Sequence, residues 1–222
     1  MIAVRSVVIP DLHGCPQFLE WVQERFPGRH LILLGDLIHR GPDSRRTLRL
    51  ALRLAEEGRA RLLWGNHEHW VWQETARLSP SGREKWFRRE GHELFAAYGG
   101  NGRAVGDVMH DLGRFARLAR PYHVEGKMLC AHAARPSLGR TPDELLDRGY
   151  LWDRPKTGLH PLPTHVFPEL RYSVHGHTPQ PRPLVDLEGQ GVVYLDLGSA
   201  RTGRFCVWDA QLQRVVLYRE GD

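Results

Sequence analysis

The chain has 222 residues, 41% of them apolar and 26% charged, with a net charge of +5. That length fits one large domain with a substantial core, the balance is that of a soluble globular protein, and no apolar run is long enough to span a bilayer. Three scattered cysteines, Cys15, Cys130 and Cys206, exclude a disulfide scaffold and fit a reducing compartment.

Positive charge is carried almost wholly by arginine, since Lys85, Lys127 and Lys156 are the only lysines. Such a surface attracts phosphorylated substrates. No block of like charge and no basic-aromatic repeat marks a nucleic-acid groove, so nucleic acid is not an expected partner. Met1-Ile2-Ala3-Val4-Arg5 runs straight into a strand with no basic region and apolar leader, so a cytoplasmic setting is expected. Nothing in the sequence specifies an oligomeric state.

In chain order, Val4–Ile9 reads as a buried strand and Pro16–Arg25 as a helix. His30–Leu34 is a second apolar strand. Asp43–Glu57 has apolar residues at helical spacing, with Asp43 or Ser44 as cap, and Arg61–Trp64 is a third strand. This β-α-β-α-β order implies a largely parallel sheet, in which ligands collect beyond the carboxyl ends of the strands. Residues 68–118 are helical, charged and aromatic, and read as an insertion leaning over those ends. Tyr122–Val124 and Lys127–Ala131 form a hairpin around Glu125-Gly126. A short helix at Thr141–Asp147 and a proline-rich loop over 153–170 follow, then a strand at Tyr172–Val174. Val192–Leu197, Phe205–Trp208 and Val215–Tyr218 read as three strands of a second, mainly antiparallel sheet.

Five strand ends present ligand-type residues: Asp11 and His13; Asp36; Asn66 and His67; His132; His175 and His177. A lone histidine at a strand end is usually structural; five such endings in one chain are hard to ascribe to chance. Nitrogen, carboxylate and amide oxygen donors suit manganese, iron or zinc better than calcium. There are more donors than one ion needs, which points to two ions sharing a carboxylate. His175 is expected behind the ligands, and His69 and His92 on helix faces.

Asp11-Leu12-His13-Gly14, Gly35-Asp36-Leu37-Ile38-His39-Arg40-Gly41, Gly65-Asn66-His67-Glu68, His132-Ala133 and Gly176-His177-Thr178 occur in that order. Together they resemble the calcineurin-like metallophosphoesterase superfamily, nearest its phosphoprotein-phosphatase branch. That branch holds bacterial and phage serine/threonine phosphatases and symmetrical diadenosine tetraphosphate hydrolases. Leu195-Asp196-Leu197-Gly198-Ser199 also resembles it.

The resemblance implies an α/β fold, a four-layer α-β-β-α sandwich of two mixed sheets, forming a single domain over 1–222 with the helical insertion over the site. It implies that Asp11, His13 and Asp36 hold one ion and Asp36, Asn66, His132 and His177 the other, manganese being expected. Pro179 stands where some relatives have a further histidine, so the first ion is expected to carry more water. His67 would protonate the leaving oxygen. Arg40 would hold phosphate oxygens, as would Arg154 in Leu151-Trp152-Asp153-Arg154.

Two ions about 3.5–4 Å apart generate hydroxide near neutral pH for in-line attack at phosphorus. Arginine forks stabilise the spreading charge. One departure is His39, where protein phosphatases of this branch have an aspartate that orients the catalytic histidine; tetraphosphate hydrolases lack that aspartate too. The Asn66-His67-Glu68 motif and the Trp86 to Gly100 segment look more like the small bacterial protein phosphatases. The expected substrate is therefore a phosphomonoester of the serine/threonine phosphoprotein type, with symmetrical dinucleoside tetraphosphate as the alternative. A metal-bound scaffold without catalysis would have no use for His67 and Arg40. A cysteine phosphatase is excluded because Cys130 and Arg135 are one residue too close, and no Gly-Lys-Ser/Thr stretch exists for a P-loop.

Overall fold

The computed structural model describes residues 5–136, 148–154 and 160–219. Its first three strands are β1 (Val7–Ile9), β2 (Leu31–Leu33) and β3 (Ala60–Leu62). They pair in parallel, with Val7 opposite Leu31 and Leu31 opposite Ala60. Near-continuous apolar runs make sense here because both faces of this sheet are covered. Helices α1 (Pro16–Arg25) and α2 (Ser44–Glu56) form the crossovers. Asp43 caps α2 by accepting the Arg46 N–H at 2.8 Å. Residues Val7, Ile9, Leu31, Leu33 and Leu62 pack under these two helices.

Between β3 and the next strand run α3 (Asn66–Thr75), α4 (Pro80–Arg89), α5 (His92–Ala97) and α6 (Ala104–Leu118). The sequence predicts this helical region. Phe87, Leu94, Phe95, Leu112 and Phe115 join the same apolar cluster as α1 and α2. The insertion is therefore rooted in the core beside the first sheet rather than attached by a linker.

The second sheet has the order β4 (Tyr122–Glu125), β5 (Met128–Ala131), β6 (Tyr172–His175), β8 (Val192–Tyr194), β7 (Leu184–Asp186). Its outer pairs are antiparallel and its inner pairs, β5 with β6 and β6 with β8, are parallel. A short helix α7 (Arg148–Trp152) precedes β6, and the Thr141–Asp147 helix expectation lies outside the described residues.

The C-terminal expectation needs correction. Of the three strands assigned to the second sheet, only β8 joins it. The last two, β9 (Cys206–Asp209) and β10 (Arg214–Leu217), extend the first sheet, with β9 antiparallel to β1. Local periodicity reports burial, and β9 is buried on both faces in either sheet, so pattern alone could not choose its partner. A helical turn, α8 (Ser199–Thr202), separates β8 from β9.

The two sheets face each other. Val8, Ile32, Cys206 and Trp208 from the first meet Met128, Cys130, Val174 and Val193 from the second. Alternation explains it: Val7 and Ile9 point to the helices, Val8 to the other sheet. This layer aligns the carboxyl ends of β1, β2, β3, β5 and β6. No helix among the described residues is long and apolar enough to cross a membrane.

Candidate metal centre

Each motif leaves its strand into a loop tied to another motif. The Leu12 and His13 N–H groups donate to the Asp36 carbonyl at 3.1 and 2.8 Å. The Gly176 N–H donates to the His132 carbonyl at 2.8 Å. Across the two sheets, the His177 N–H donates to the Asp11 carboxylate at 2.9 and 3.1 Å. Gly35 and Gly65 allow two of these loops to touch: a Cβ on Gly65 would lie 2.1 Å from the Asp36 nitrogen.

Backbone strain gathers at these loops. Among the described residues, His13, Asp36, His39, Arg40, His177 and Gln213 are the non-glycine residues with positive φ, between 42° and 68°. Only Gln213 lies outside the motifs. Such conformations cost about 1–3 kcal/mol each and persist where surroundings hold them.

The carboxylate of Asp36 stands at the middle. Its Oδ2 lies 3.6 Å from His13 Nε2 and 3.9 Å from His67 Nε2, whereas its Oδ1 lies 3.5 Å from His132 Nε2. Asp11 Oδ2 is 3.9 Å from His13 Nε2. On the other side, Asn66 Oδ1 is 2.8 Å from His132 Nε2 and 2.9 Å from His177 Nδ1. The six sequence-predicted ligands are thus brought together as two groups meeting at Asp36.

The donor chemistry fits cations. His13 Nδ1 lies 3.0 Å from the Ile38 carbonyl and His132 Nδ1 2.8 Å from the Leu34 carbonyl. Each Nδ1 must donate there, which leaves each Nε2 as a lone pair aimed at the cluster. His132 Nε2 then faces the Asn66 amide oxygen, acceptor against acceptor, a contact that a bound cation relieves. Burial lowers the pKa of His13 to about 4 and of His177 to about 3, and lowers that of His132. The imidazoles are therefore neutral at pH 7, the form a metal ion needs. Burial would raise Asp36, but His132, His67 and His13 bring it below the usual carboxylate range. Burial, with Asp196 and Asp36 nearby, pushes Asp11 up.

Beside the first group, the Arg40 guanidinium sits between two rings, with Nη1 2.8 Å from His13 Nε2 and Nη2 3.0 Å from His67 Nε2. His67 Nε2 therefore accepts, and its Nδ1–H donates to His39 Nδ1 at 2.8 Å. Arg154 follows α7, whose Trp152 ring stands edge-on to His177 with centroids 6.4 Å apart. After burial and His132, the Arg154 charge helps keep His177 neutral. Arg135 and Arg171 do not serve the site: Arg135 binds Ser173 Oγ and the His160, Gln190 and Gly191 carbonyls, and Arg171 binds the Pro168 and Leu170 carbonyls.

His175 is fully buried behind the cluster, where its ring nitrogens meet the Ala131 carbonyl at 2.9 Å and Ser173 Oγ at 2.9 Å and so brace β5 against β6. His69 is buried edge-on against Trp64, and His92 lies on an exposed helix face beside the Arg89 carbonyl.

Two residues had no role in the sequence reading. Glu68 is fully buried and accepts the N–H groups of Asp36 (2.9 Å), Leu37 (2.7 Å) and Ile38 (3.1 Å). It shapes the loop that presents Asp36. Asp196 accepts the Gly198 N–H at 2.7 Å, and burial pushes its carboxyl up to about 6. Their signal was membership of the motif strings; what they bond was not visible there.

A family model described as calcineurin-like phosphoesterase matches residues 4–200. A symmetrical bis(5'-nucleosyl)-tetraphosphatase of Ralstonia nicotianae is 46% identical over 61 residues, which is 27% of this chain and 22% of that protein. The chain thus matches less than a quarter of that relative's length. Among solved structures, one provisionally described as a diadenosine tetraphosphatase superposes with TM-score 0.64 at 18% identity, covering 98% of this chain and 94% of its own. A cold-active protein-tyrosine phosphatase of a psychrophilic Shewanella species gives TM-score 0.61 at 17% identity, covering 97% and 80%. At these identities the solved structures speak for the fold alone. The match over nearly the whole chain means that this protein belongs to the calcineurin-like phosphoesterase family.

Proposed function

We propose that the chain is a two-metal phosphohydrolase. The observation that carries this reading is Asp36, whose two oxygens face separate donor groups. Asp11, His13 and Asp36 hold one ion; Asp36, Asn66, His132 and His177 hold the other. Manganese is the preferred metal, and iron or zinc suit the same donors. When bound, the pair supplies an acidified water and neutralises phosphate charge. The chain's own residues do the rest. Arg40 reaches over the first group and holds non-bridging phosphate oxygens, and Arg154 closes on them from the His177 side. His67 adjoins the ligand Asn66, so one helix turn places the acid beside the leaving oxygen.

The two substrate classes differ in how much they ask of His67. A serine or threonine phosphomonoester expels an alkoxide and needs a strong acid. No carboxylate bonds His67 Nδ1; its partner there is neutral His39, whose pKa burial lowers to about 3. Without a carboxylate on Nδ1, His67 lacks the orienting partner of a strong general acid, which favours a leaving group that needs no proton. A phosphoanhydride such as a symmetrical dinucleoside tetraphosphate is of that kind, and the Ralstonia relative is named for that chemistry. The phosphomonoesterase reading stands second, supported by the paired arginines suited to a phosphate dianion.

Side-by-side turnover of diadenosine tetraphosphate, a phosphothreonine peptide and AMP with manganese tests both readings. The tetraphosphate should be hydrolysed fastest and give nucleoside diphosphate alone. A faster peptide moves the phosphomonoesterase to first place. Turnover that survives metal chelation sinks the two-metal reading.

A further inference from the structure

The His39-Arg40 turn is doubly left-handed, with φ of 68° and 67° and no glycine. A turn of this kind does not hold itself. Its two N–H groups are held by side chains from different elements. His39 N–H donates to Ser44 Oγ, at the start of α2, at 2.9 Å. Arg40 N–H donates to Glu93 Oε1, in the first turn of α5. Glu93 belongs to the helical insertion, 53 residues further along the chain.

We propose that Glu93 is a positioning residue for Arg40: by accepting the Arg40 N–H it holds the turn that aims the guanidinium between His13 and His67. This rests on the reading of Arg40 as a phosphate-holding group.

Two further observations point the same way. First, α5 is fixed where it must be. Leu94 and Phe95 anchor it in the core, and a Cβ on Gly91 would come 2.4 Å from the Trp86 ring and 2.7 Å from Phe87. Glu93 therefore has little freedom to drift. Second, the insertion touches the same turn a second time, through a chain of rings: Trp86 against Trp70 at 5.2 Å, Trp70 against His39 at 6.0 Å, and His39 against His67 at 5.0 Å. The helices between β3 and β4 thus form one wall of the catalytic turn, and Glu93 is its point of contact with the backbone.

The test compares Glu93→Ala, Glu93→Gln, Arg40→Ala and Glu93→Ala with Arg40→Ala. Each is read as kcat and KM on p-nitrophenyl phosphate with the manganese-loaded protein, and as amide hydrogen exchange over residues 38–41. Glu93→Ala should lower kcat/KM by about 10- to 100-fold, the scale of a roughly 1 Å misplacement, with bound manganese unchanged. Glu93→Gln should retain most activity, because its amide oxygen still accepts the N–H. In the Arg40→Ala background, Glu93→Ala should add nothing. The Arg40 amide should exchange faster in Glu93→Ala and as in wild type in Glu93→Gln. Wild-type kinetics for Glu93→Ala overturns the proposal, as does an undiminished loss in the Arg40→Ala background. Glu93→Gln as poor as Glu93→Ala also overturns it, by assigning the effect to charge. If Arg40→Ala is as active as wild type, the failure belongs to the role of Arg40, and hydrogen exchange alone decides whether Glu93 holds the turn.

Discussion

The two sheets contribute unlike things to one centre. The first supplies Asp11, His13, Asp36 and Asn66 on loops that carry both carboxylates and four of the left-handed residues. The second supplies two neutral imidazoles, His132 and His177, within two residues of their strands. The carboxylates and most of the strain therefore sit on the βαβαβ half, while the other brings only imidazoles, of which His177 is also left-handed. One group draws wholly on the first sheet; the other exists only when the sheets are packed face to face. The link is direct, since His177 N–H bonds the Asp11 carboxylate.

Breaking the shared carboxylate should have the largest effect. Asp36→Ala should cut turnover by about 1000-fold or more, the scale of losing a preorganised electrostatic group, and bound manganese measured by elemental analysis should fall below one per chain. His132→Ala sharpens the contrast, because it removes a second-sheet donor and should leave one ion in place. Two ions retained in Asp36→Ala would end the idea of two halves meeting there.

His67→Ala tests the proposed acid, whose ring lies within ligand reach of His13 and Asp36. It should keep its metal and lose about 100- to 10,000-fold in rate on a poor leaving group, and far less on an anhydride. Equal losses on both would show that leaving-group protonation does not separate the substrates.

The inter-sheet layer is tested by Ile32→Ala. Ile32 is fully buried between the sheets, and its truncation should cost about 2–5 kcal/mol by denaturant unfolding. Manganese affinity should weaken at the group that spans both sheets more than at the other. Equal weakening would mean that the groups do not depend on packing differently.

The smallest effect lies at the far end of the first sheet, where Asp209 pairs with Arg29 at 2.8 Å. Burial would raise the Asp209 carboxyl, but Arg29 and the Leu212 and Gln211 N–H groups hold it below its ordinary 3.8. Its stabilisation is thus fully present above that value and lost as pH falls through the lower folded one. Asp209→Asn should cost about 1–2 kcal/mol at pH 7, and the difference should vanish in strong acid while metal content at neutral pH is untouched. A penalty that does not shrink as pH falls below the ordinary carboxylate range would exclude this origin.

Much of the fold and of the donor set was legible in the chain. The bounds of α1 were read as Pro16–Arg25 and are Pro16–Arg25, because a Pro start and apolar spacing are local signals. The five strand ends were read from apolar runs stopping at polar residues. The pairing of β9 with β1 was not, nor was the strand Leu184–Asp186, an exposed edge with little periodicity to mark it. His175 and His177 stand two apart, and one turns into the sheet while the other faces the cluster. Glu93 gave no signal at all, being one acidic residue in a charged helical stretch.

What the sequence determined by itself was the inventory: which donor types stand at which strand ends, and the order in which they come. Those follow from local alternation and side-chain chemistry. Only the tertiary structure decided that the two Asp36 oxygens face separate donor groups, that Nε2 of His13 and of His132 faces the cluster, which sheet takes the last two strands, and that Glu93 of the insertion bonds the Arg40 N–H. Each of these depends on contacts between residues far apart in the chain, and short-range pattern carries no information about such contacts.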